Sequence, residues 1–481
     1  MSRAFEQPLF HGTKMNISRR GFLSGATAIG FGGWRRLFAV PSGWKPPRAP
    51  NLVFGVISDT HLRTEAGSSG KPGRNWSDKY FATALEHFKR QNVDAVVHCG
   101  DMAHRGQVEE MQFHANVWRR VFGTGGPVKL FVTGNHDKDG ADYGSFVSEN
   151  YPDPEERAKH VLNTDMAANW ERIWGEPYPN VWHKEVRGYH FFGRNWGVDY
   201  KELANIVNDS AAPCGLDDGV KPFFVLQHCR PEAALRKSVR THRNALAFFG
   251  HNHWSVANWN MIYRYGDSLT VIQCASCEPR GCGTLVEDGY ICKAKLEGRD
   301  AVGKGRQGFV VRVYDDMLVI ERREFTNGVS CLGEDWMMPL GKSGAHPFSK
   351  DELKKAIGKP QFREGALLSI RQSPERPGTQ ATSSESKDLI RMSIPLADGN
   401  PEARVYAYEI VVVGDAGAAK LRKAVYAAGV NMGIGHEPNG GVTTVEIPKT
   451  ELPPGKTLIV AVRPLSSLGS FGKPIVAEWK S

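Results

Sequence analysis

Seven side chains able to ligate a metal ion stand directly after short apolar runs of the chain. They are Asp59, His61, Asp101, Asn135, His228, His251 and His253. Carboxylate, amide and imidazole donors without a thiolate suit borderline or hard divalent ions such as manganese, iron or zinc. Because one catalytic ion usually takes about three or four protein ligands, seven candidates predict two metal ions that share a bridging carboxylate.

The apolar runs are the elements that must position these side chains. NLVFGVIS, DAVVHCG, VKLFVTG, PFFVLQ and ALAFFG are almost wholly apolar, which is typical of strands buried on both faces of a layered α/β sheet. Phe81, Leu85 and Phe88 recur at helical spacing between the first two runs, and this predicts a strand–helix–strand unit. Polar groups that follow such strands meet at the carboxyl edge of the sheet, where α/β folds bind ligands.

Five ordered blocks of sequence carry a family resemblance. DTH, GDMAHRG, GNHD, QH and GHNH, in this order and spacing, resemble the calcineurin-like metallophosphoesterases over about residues 52–325. The resemblance implies an α/β fold of four layers, in which two facing β-sheets are flanked by helices. It also implies a metal-dependent phosphatase or phosphodiesterase, a hydrolase in which a hydroxide bridging two metal ions attacks the ester.

The resemblance implies a role for individual residues of these blocks. Asp59, His61 and His253 are the implied ligands of the first metal ion, Asn135, His228 and His251 those of the second, and Asp101 bridges both. His136 is the implied general acid, which protonates the leaving group. Arg105 resembles the arginine that grips a substrate phosphate oxygen. Asn195 follows a further strand and is a candidate for lining the substrate cleft, with core packing as the alternative.

One position departs from the family pattern. Where the family often has an aspartate that orients and charge-stabilises the catalytic histidine, this chain has His104. An imidazole at this position could be an additional metal ligand, a proton-sharing partner of His136, or a bystander. The sequence leaves these three roles open. The presence of histidine at this position does not change the predicted set of metal ligands.

The N-terminal segment predicts export. Residues 1–39 hold six basic residues and one acidic residue, so they carry +5 of the chain's formal +9. SRRGFLSGATAIGFGG places Arg19 and Arg20 before a weakly apolar run rich in Gly and Ala, the pattern of a twin-arginine signal; a short amphipathic arm is the alternative. The pattern predicts a periplasmic or extracellular protein, and no apolar stretch of the ~20 residues that cross a bilayer follows the leader.

Composition divides the 481 residues into successive regions. The predicted regions are the signal at 1–39, a Pro-rich spacer at 40–50, the catalytic domain at 51–345 with an insertion at 138–180, a helix and polar linker at 346–387, and a small all-β sandwich at 388–481. Short alternating strands separated by Gly, Pro and Asn predict the sandwich, which resembles a fibronectin type III or immunoglobulin-like module. Docking on the catalytic domain and binding of a surface polymer both remain open as its role.

The chain has eight cysteines, which fall into two kinds of setting. Cys99 and Cys229 end apolar runs and are predicted to pack in the core. A denser group comprises Cys274, Cys277, Cys282 and Cys292. In an exported chain this group could form disulfides, remain as free thiols, or hold a structural zinc ion, and all three states stay open.

Charge and composition restrict the class of partner. A content of 41% hydrophobic and 23% charged residues excludes wholesale disorder and a multi-span membrane protein. Outside the leader the formal charge is only about +4, which gives little electrostatic footprint for long nucleic acid. The sequence therefore favours a phosphate-ester substrate. A nucleotide or nucleic-acid phosphodiesterase, and a non-catalytic binding protein on the same fold, are the alternatives.

Overall fold

The computed structural model describes most of the chain after residue 47. The described residues are 48–63, 76–140, 149, 151–216, 219–240, 242–265, 269–274, 276–277, 296–297, 303, 305–333, 335–341, 358–372, 389–398, 404–415 and 420–480. The predicted export signal with Arg19 and Arg20, the helix predicted in 346–357, and Cys282 and Cys292 lie outside these residues. None of the helices in the described ranges is long and apolar enough to cross a membrane.

The strands up to residue 340 reproduce the predicted apolar runs and extend beyond them. In the described residues they are Leu52–Ile57 (β1), Ala95–Cys99 (β2), Val128–Val132 (β3), Val181–Val186 (β4), Tyr189–Arg194 (β5), Phe223–Leu226 (β6), Ala245–Phe249 (β7), Ile262–Tyr265 (β8), Leu269–Gln273 (β9), Leu296–Glu297 (β10), Gln307–Val313 (β11), Met317–Glu324 (β12), Ser330–Cys331 (β13) and Trp336–Pro339 (β14). Each of the five predicted strands that precede candidate ligands is present among them.

Helices connect several of these strands. The α-helices among the described residues are Trp76–Arg90 (α1), Val108–Phe122 (α2), Asn135–Lys138 (α3), Pro154–His160 (α4), Met166–Trp174 (α5), Tyr200–Ala211 (α6) and Ala233–Ser238 (α7). Short 3-10 helices span Leu162–Asp165, Trp259–Met261, Pro438–Gly441 and Lys449–Glu451. Helices α4 and α5 lie within residues 138–180, the range predicted as an insertion.

Two sheets face each other in the first part of the chain. The first has the order β13-β12-β11-β1-β2-β3, with β14 also paired to β12, and the second has the order β4-β5-β6-β7-β9-β8. The ring of Phe54 on β1 makes edge-to-face contacts with Phe191, Phe224 and Phe248, at centroid distances of 5.4, 5.0 and 5.9 Å. Because these three phenylalanines lie on the second sheet, the apolar core between the sheets is continuous.

Helices cover the outer faces of both sheets and complete four layers. On the first sheet, Phe81, Leu85 and Phe88 of α1 are fully buried and share an apolar cluster with residues of α2 and β1. On the second sheet, Leu203 and Val207 of α6 pack with residues of β5, β6 and β7. The α/β sandwich of two sheets flanked by helices, which the family resemblance implied, is therefore confirmed.

The last part of the described chain is all-β. Its strands are Gln361–Phe362 (β15), Ser369–Gln372 (β16), Leu389–Ile394 (β17), Ala397–Asp398 (β18), Ala407–Gly414 (β19), Lys420–Tyr426 (β20), Thr443–Pro448 (β21), Thr457–Leu465 (β22) and Ile475–Lys480 (β23). They form sheets of order β10-β20-β19-β22-β23, β16-β17-β21 and β15-β18. Buried residues of the two larger sheets lie in one apolar core.

Two features of this region differ from the predicted boundaries. Strand β10 pairs in parallel with β20, although its position in the sequence placed it in the catalytic domain. Strands β15 and β16 lie in the range predicted as a helix and polar linker, and β16 pairs with β17. The C-terminal sheets therefore recruit strands from residues that precede residue 388, because pairing partners and not composition decide where a short strand belongs.

The C-terminal region contacts the segment that follows His253. The backbone N–H of Trp259 donates to Ser467 Oγ at 3.0 Å, and the Asn260 amide donates to the Ser467 carbonyl at 2.7 Å. The side chain of Gln307 donates to the Asn431 carbonyl at 2.8 Å. These hydrogen bonds join the C-terminal strands to the edge of the candidate site.

Candidate metal centre

The seven predicted ligands converge where the carboxyl ends of the two sheets meet. β1, β2 and β3 of the first sheet lead to Asp59 and His61, to Asp101 and to Asn135, while β6 and β7 of the second sheet lead to His228 and to His251 and His253. Five of the seven are buried to within 6% exposure. Asn135 is 8% exposed, and His251 lies on the open side of the cluster.

Left-handed backbone conformations turn many of these side chains into the centre. Asp59, His61, Asp101, His251 and His253 have φ between 44° and 74°, a region that residues other than glycine seldom adopt. Each such residue costs of order 1–3 kcal/mol, and such conformations cluster at functional sites. The concentration of this strain at five candidate ligands indicates that the fold is organised around the cluster.

Two glycines of the sequence blocks leave room for the carboxylates. A Cβ added at Gly134 would lie 2.2 Å from Asp101 Oδ1, and one added at Gly250 would lie 2.6 Å from Asp59 Oδ2. Both distances are far below ordinary van der Waals contact. Glycine precedes Asn135 and His251 in GNHD and GHNH because the backbone passes against a ligand carboxylate at each position.

The donor atoms form two groups with one member in common. Asp59, His61, Asp101 and His253 form the first group and Asp101, His228 and His251 the second, with the donor atoms of each group within 4.8 Å of one another. In the first group, the Nε2 atoms of His61 and His253 are 3.0 Å apart, and His253 Nε2 is 3.2 Å from Asp59 Oδ1. Such spacings match the edges of a coordination sphere with bonds of about 2.0–2.2 Å.

The second group has an amide oxygen beside its imidazoles. Asn135 Oδ1 is 2.9 Å from His228 Nε2 and 3.0 Å from His251 Nδ1. Asp101 Oδ2 reaches both groups, at 3.1 Å from His228 Nε2 and 3.5 Å from His61 Nε2. The only carboxylate common to both groups is therefore the residue that the resemblance implied as the bridge.

Hydrogen bonds on the remote ring nitrogens orient two of the histidines. His228 Nδ1 donates to the Cys99 carbonyl at 2.7 Å, and His253 Nδ1 lies 3.1 Å from Ser276 Oγ. A bond at Nδ1 leaves Nε2 as the nitrogen that faces the cluster. Ser276 lies outside the sequence blocks, so its contact with His253 could not be read from them.

Buried negative charge makes the cluster receptive to cations. Burial raises the pKa of Asp59, but His253 and His228 outweigh it and hold that pKa well below its ordinary value. Burial lowers the pKa of His228, but the carboxylates of Asp101 and Asp59 raise it to about 10. Since two buried carboxylates favour positive charge between them, the donor set and its electrostatics fit a pair of divalent ions.

His136 lies beside the cluster, and a hydrogen bond at Nδ1 distinguishes its two ring nitrogens. Its Nδ1 donates to the backbone carbonyl of His104 at 2.7 Å, and its backbone N–H donates to Asp101 Oδ1 at 2.9 Å. Its ring centroid is 4.5 Å from that of His61. The bond at Nδ1 fixes the ring, so a backbone carbonyl dipole orients His136.

The ring of His104 lies against both a predicted metal ligand and His136, and the three imidazoles of His61, His104 and His136 place a ring nitrogen each within 4.8 Å of one another. Its Nδ1 is 3.4 Å from His61 Nδ1, the nitrogen turned away from the cluster, and 3.4 Å from an Arg63 guanidinium nitrogen. The ring stacks on His136 at a centroid distance of 5.5 Å and an interplanar angle of 16°. This geometry favours a role in orienting neighbouring imidazoles.

Arg105 and Asn195 occupy different environments. Arg105 is partly exposed on the loop that carries His104. Asn195 is 2% exposed; its Oδ1 accepts from the Thr133 N–H at 2.9 Å, and its Nδ2 donates to the Pro179 carbonyl at 2.8 Å. The amide of Asn195 thus braces the turn before Asn135, which favours the packing alternative over direct contact with substrate.

Trp196 lies closer to the open side of the centre than its neighbour. Its ring stacks at 22° to the ring of His251, with centroids 6.3 Å apart, and its Nε1 donates to Asp139 Oδ2 at 2.5 Å. An aromatic surface therefore flanks the exposed ligand. Trp196 directly follows Asn195 in the chain, and strand alternation alone does not say which of two consecutive residues turns towards the cleft at a strand end.

Asp137, in the GNHD block, and Glu110, which follows the GDMAHRG block, are buried carboxylates to which sequence reasoning assigned no role. Asp137 Oδ2 accepts from the N–H groups of Asp101 and Gly134 at 2.9 and 2.8 Å. Glu110 Oε2 accepts from the N–H groups of His104 and Arg105 at 3.1 and 2.7 Å. The signal was the carboxylate itself, placed shortly after a turn whose N–H groups need an acceptor.

The described cysteines are free thiols in and around the core. Cys274 Sγ lies 3.5 Å from Cys99 Sγ, and both residues are buried. Burial raises the pKa of Cys277 to about 12, so this thiol is protonated at neutral pH. The zinc, disulfide and free-thiol alternatives for the group that includes Cys282 and Cys292 are therefore not decided by the described residues.

The fold and the donor set together define a metal-binding α/β domain of two facing sheets. Residues 52–255 match the family model described as calcineurin-like phosphoesterase. This match ends earlier than the predicted extent of the resemblance, about residues 52–325.

Similar solved structures include two phosphatases. A dimetal phosphatase from Danio rerio is 11% identical, with 61% of this chain and 100% of that chain covered and a TM-score of 0.37. A purple acid phosphatase from yellow lupin (Lupinus luteus) seeds is 14% identical, with 60% of this chain and 54% of that chain covered and a TM-score of 0.37. No curated protein sequence matches the chain.

Proposed function

We propose that this protein is an exported dinuclear-metal phosphoesterase that hydrolyses phosphomonoesters or phosphodiesters. The observation that carries the proposal is the pair of donor groups joined by Asp101, the one carboxylate that reaches both. In this proposal Asp59, His61, Asp101 and His253 hold one ion. Asp101, Asn135, His228 and His251 hold the other.

The metal ions would supply the hydrolytic chemistry that amino-acid side chains lack. Two divalent ions of the manganese, iron or zinc kind, when bound, activate water and neutralise phosphoryl oxygens. The chain's own contribution is to hold seven donors in place before substrate arrives, so that little reorganisation accompanies reaction. The left-handed backbone at Asp59, His61 and Asp101 supports this preorganised arrangement.

His136 is the proposed general acid. Its Nδ1 proton is engaged by the His104 carbonyl, so a proton on Nε2 can be delivered to the leaving-group oxygen. Its backbone N–H holds Asp101 Oδ1, which keeps the ring at a fixed position relative to the metal pair. A positioned acid of this kind contributes roughly 10²–10⁴ in rate.

Arg105 and His104 are the proposed rim of the substrate site. Arg105 is partly exposed beside the centre, and a guanidinium suits a phosphate oxygen because its N–H groups form a planar fork. His104 is proposed to orient His61 and to stack on His136. Asn195 is proposed to act indirectly, by fixing the turn that presents Asn135.

Elemental analysis followed by parallel ester assays tests the proposal. Purified protein is assayed with bis-p-nitrophenyl phosphate and p-nitrophenyl phosphate, with added manganese, and we expect turnover of at least one ester. Asp101→Asn should lose both metal and turnover, because it removes the carboxylate charge that both donor groups share. Asp209→Asn, at an exposed position on α6, is the matched control and should retain both. Hydrolysis of neither ester by fully metallated protein would favour a non-catalytic binding protein.

Export is the component of the proposal that rests on the N-terminal sequence alone. Replacing Arg19 and Arg20 by lysine and alanine should leave the protein inside the producing cell, because the twin-arginine pair is the feature that the export pathway recognises. The measurement is the fraction of the chain found outside the cytoplasm. Normal export of the doubly substituted chain would contradict this part of the proposal.

A further inference from the structure

A second cluster of metal-ligating side chains lies away from the proposed catalytic centre. His183 on β4, His190 on β5 and Cys214, shortly after α6, place their donor atoms within 4.8 Å of one another. His183 Nε2 and His190 Nδ1 are 3.0 Å apart. His190 is the second residue of β5, and Asn195 beyond the other end of that strand is about 16 Å away along the chain.

The local fold explains why these three side chains meet. In the β4–β5 hairpin, His183 is opposite Phe192 and Glu185 is opposite His190, so these four side chains share one face of the sheet. The ring of His183 stacks on Phe192 at 4.5 Å and 13°, which fixes the plane of the imidazole. Leu203 and Val207 of α6 pack against this side of the sheet, and the turn after the helix delivers the thiol.

The charges around the cluster suit a cation. Burial lowers the pKa of both His183 and His190, and the carboxylate of Glu185 acts against this lowering at each of them. Burial and the nearby Glu185 raise the pKa of Cys214. Lys221, whose ammonium lies 5.6 Å from the centre of the Tyr189 ring, is the cation near His190, and the carboxylate of Glu185 opposes it.

We propose that His183, His190 and Cys214 bind a zinc-class ion, with Glu185 or water as the fourth ligand. Two imidazoles and one thiolate are borderline-soft donors that zinc and copper prefer to manganese or magnesium, and zinc completes a tetrahedron readily. On binding, the Cys214 thiol releases its proton to solvent and the sulfur–metal bond forms. The ion fastens the end of α6 to the β4–β5 hairpin.

Cobalt(II) substitution distinguishes this site from the catalytic centre. The proposed catalytic ligands supply only oxygen and nitrogen, so a thiolate-to-cobalt charge-transfer band in the near ultraviolet reports cysteine ligation, and the part of the band that Cys214→Ser removes reports the Cys214 site. We expect the band in the full chain and a weaker band or none in Cys214→Ser, together with the loss of one zinc equivalent in elemental analysis. Cys331→Ser, at an exposed cysteine on β13, is the matched control and should keep both signals.

A second variant separates ligation from folding. His190→Ala should lose the same zinc equivalent, and added zinc should raise the unfolding temperature of the unsubstituted chain more than that of His190→Ala, in which only the proposed catalytic centre can bind it. Turnover of phosphate esters should change less than twofold in either variant. Absence of the band from the unsubstituted chain, or a band of undiminished intensity in Cys214→Ser, would overturn the proposal whether or not the protein hydrolyses esters.

Discussion

His136 and Asp101 are joined by a hydrogen bond, but their remaining contacts differ. Asp101 presents one carboxylate oxygen to both donor groups and the other to the backbone N–H of His136. His136 belongs to neither of the two donor groups that share Asp101, and its Nδ1 is turned to a backbone carbonyl. At the scale of the residue, metal retention and proton delivery are therefore separable.

Substitution of these two residues should give opposite metal contents. Asp101→Asn removes the charge shared by both groups, so we expect loss of metal and of turnover together. His136→Ala should keep its metal and lose roughly 10²–10⁴ in turnover on esters with poor leaving groups, and much less on esters whose leaving group needs no proton. Elemental analysis and steady-state rates on paired substrates measure this. Equal metal loss in both variants would contradict the division of roles.

How far sequence predicts a residue's role depends on where its partner lies. The convergence of the seven candidate ligands was predictable because each follows an apolar strand and has a side chain whose chemistry suits a metal ion. The role of Asn195 was not, because its partner Thr133 lies 62 residues away in the sequence and comes close only when β3 and β5 pack. Likewise, the contact between His104 and His61 depends on two turns that no local pattern relates.

At the scale of the element, the loop from Gly100 to Gln107 is held by carboxylates from outside it. Asp137 accepts from the Asp101 N–H and also from the Ala103 N–H at 2.7 Å, and Glu110 accepts from His104 and Arg105. The loop also pairs with the segment after β1, because the Leu62 N–H donates to the Met102 carbonyl at 2.9 Å and the His104 N–H donates to the Leu62 carbonyl at 3.2 Å. The two buried acids and this backbone pairing together set the position of the proposed bridging ligand.

Glu110 should make stability depend on pH. Burial raises its pKa from 4.5 to about 7, so its stabilising contribution is full below about pH 4.5 and is lost as pH rises through 7. The difference corresponds to about 3 kcal/mol. Glu110→Gln keeps an oxygen acceptor without a charge, so the variant should gain stability relative to the unsubstituted chain between pH 4.5 and 8.

Urea unfolding at several pH values measures this difference. Glu86→Gln, at an exposed position on α1, is the matched control and should follow the pH dependence of the unsubstituted chain. Comparing each variant with the unsubstituted chain removes the contribution of all other titrating groups. A Glu110→Gln profile parallel to that of the unsubstituted chain would show that the buried acid does not control the loop.

The turn before α3 should tolerate no side chain. Alanine at Gly134 would bring its Cβ to 2.2 Å from Asp101 Oδ1, so Asp101 or the turn must move, at a cost of typically 1–3 kcal/mol. We expect lower metal content and a lower unfolding temperature. Gly125→Ala, where a Cβ meets nothing within 4 Å, should change neither. Normal metal content in Gly134→Ala would show that the close approach is not required.

At the scale of the whole molecule, the C-terminal strands and the metal centre share one wall. Gln307 on β11 accepts from the Val256 N–H at 2.8 Å, and its amide donates to Ser255 Oγ at 3.1 Å and to the Asn431 carbonyl. Ser255 and Val256 follow the ligand His253. Gln307 therefore links the segment after this proposed ligand to the C-terminal region.

The two regions were separable in composition but are interleaved in space. The all-β character of the C-terminal region was predictable from its alternating short runs. The pairing of β10 with this region was not predictable. A strand of two residues shows no periodicity in the sequence, and its position depends on the free edge of β20, which forms only in the folded chain. The charge of +9 likewise indicated no polyanionic partner once +5 of it was assigned to the leader.

Truncation at about residue 375 decides what the C-terminal region does. The cut removes the partners of β10 and β16 and exposes apolar residues of the shared core, among them Val256, Trp259 and Met261. An exposed apolar patch of this kind promotes aggregation, so we expect an insoluble product or one with weakened metal binding. Solubility and metal content measure this directly.

A point substitution at the shared wall tests the same contact without removing a region. Gln307→Leu leaves the Val256 N–H and the Asn431 carbonyl without their buried partner, at about 1–3 kcal/mol for each group left unsatisfied. The ion held by His253 should then bind more weakly, while the ion held by His228 and His251 should be less affected. A soluble truncated chain with full turnover, together with unchanged metal affinity in Gln307→Leu, would instead favour a C-terminal region that binds a surface polymer.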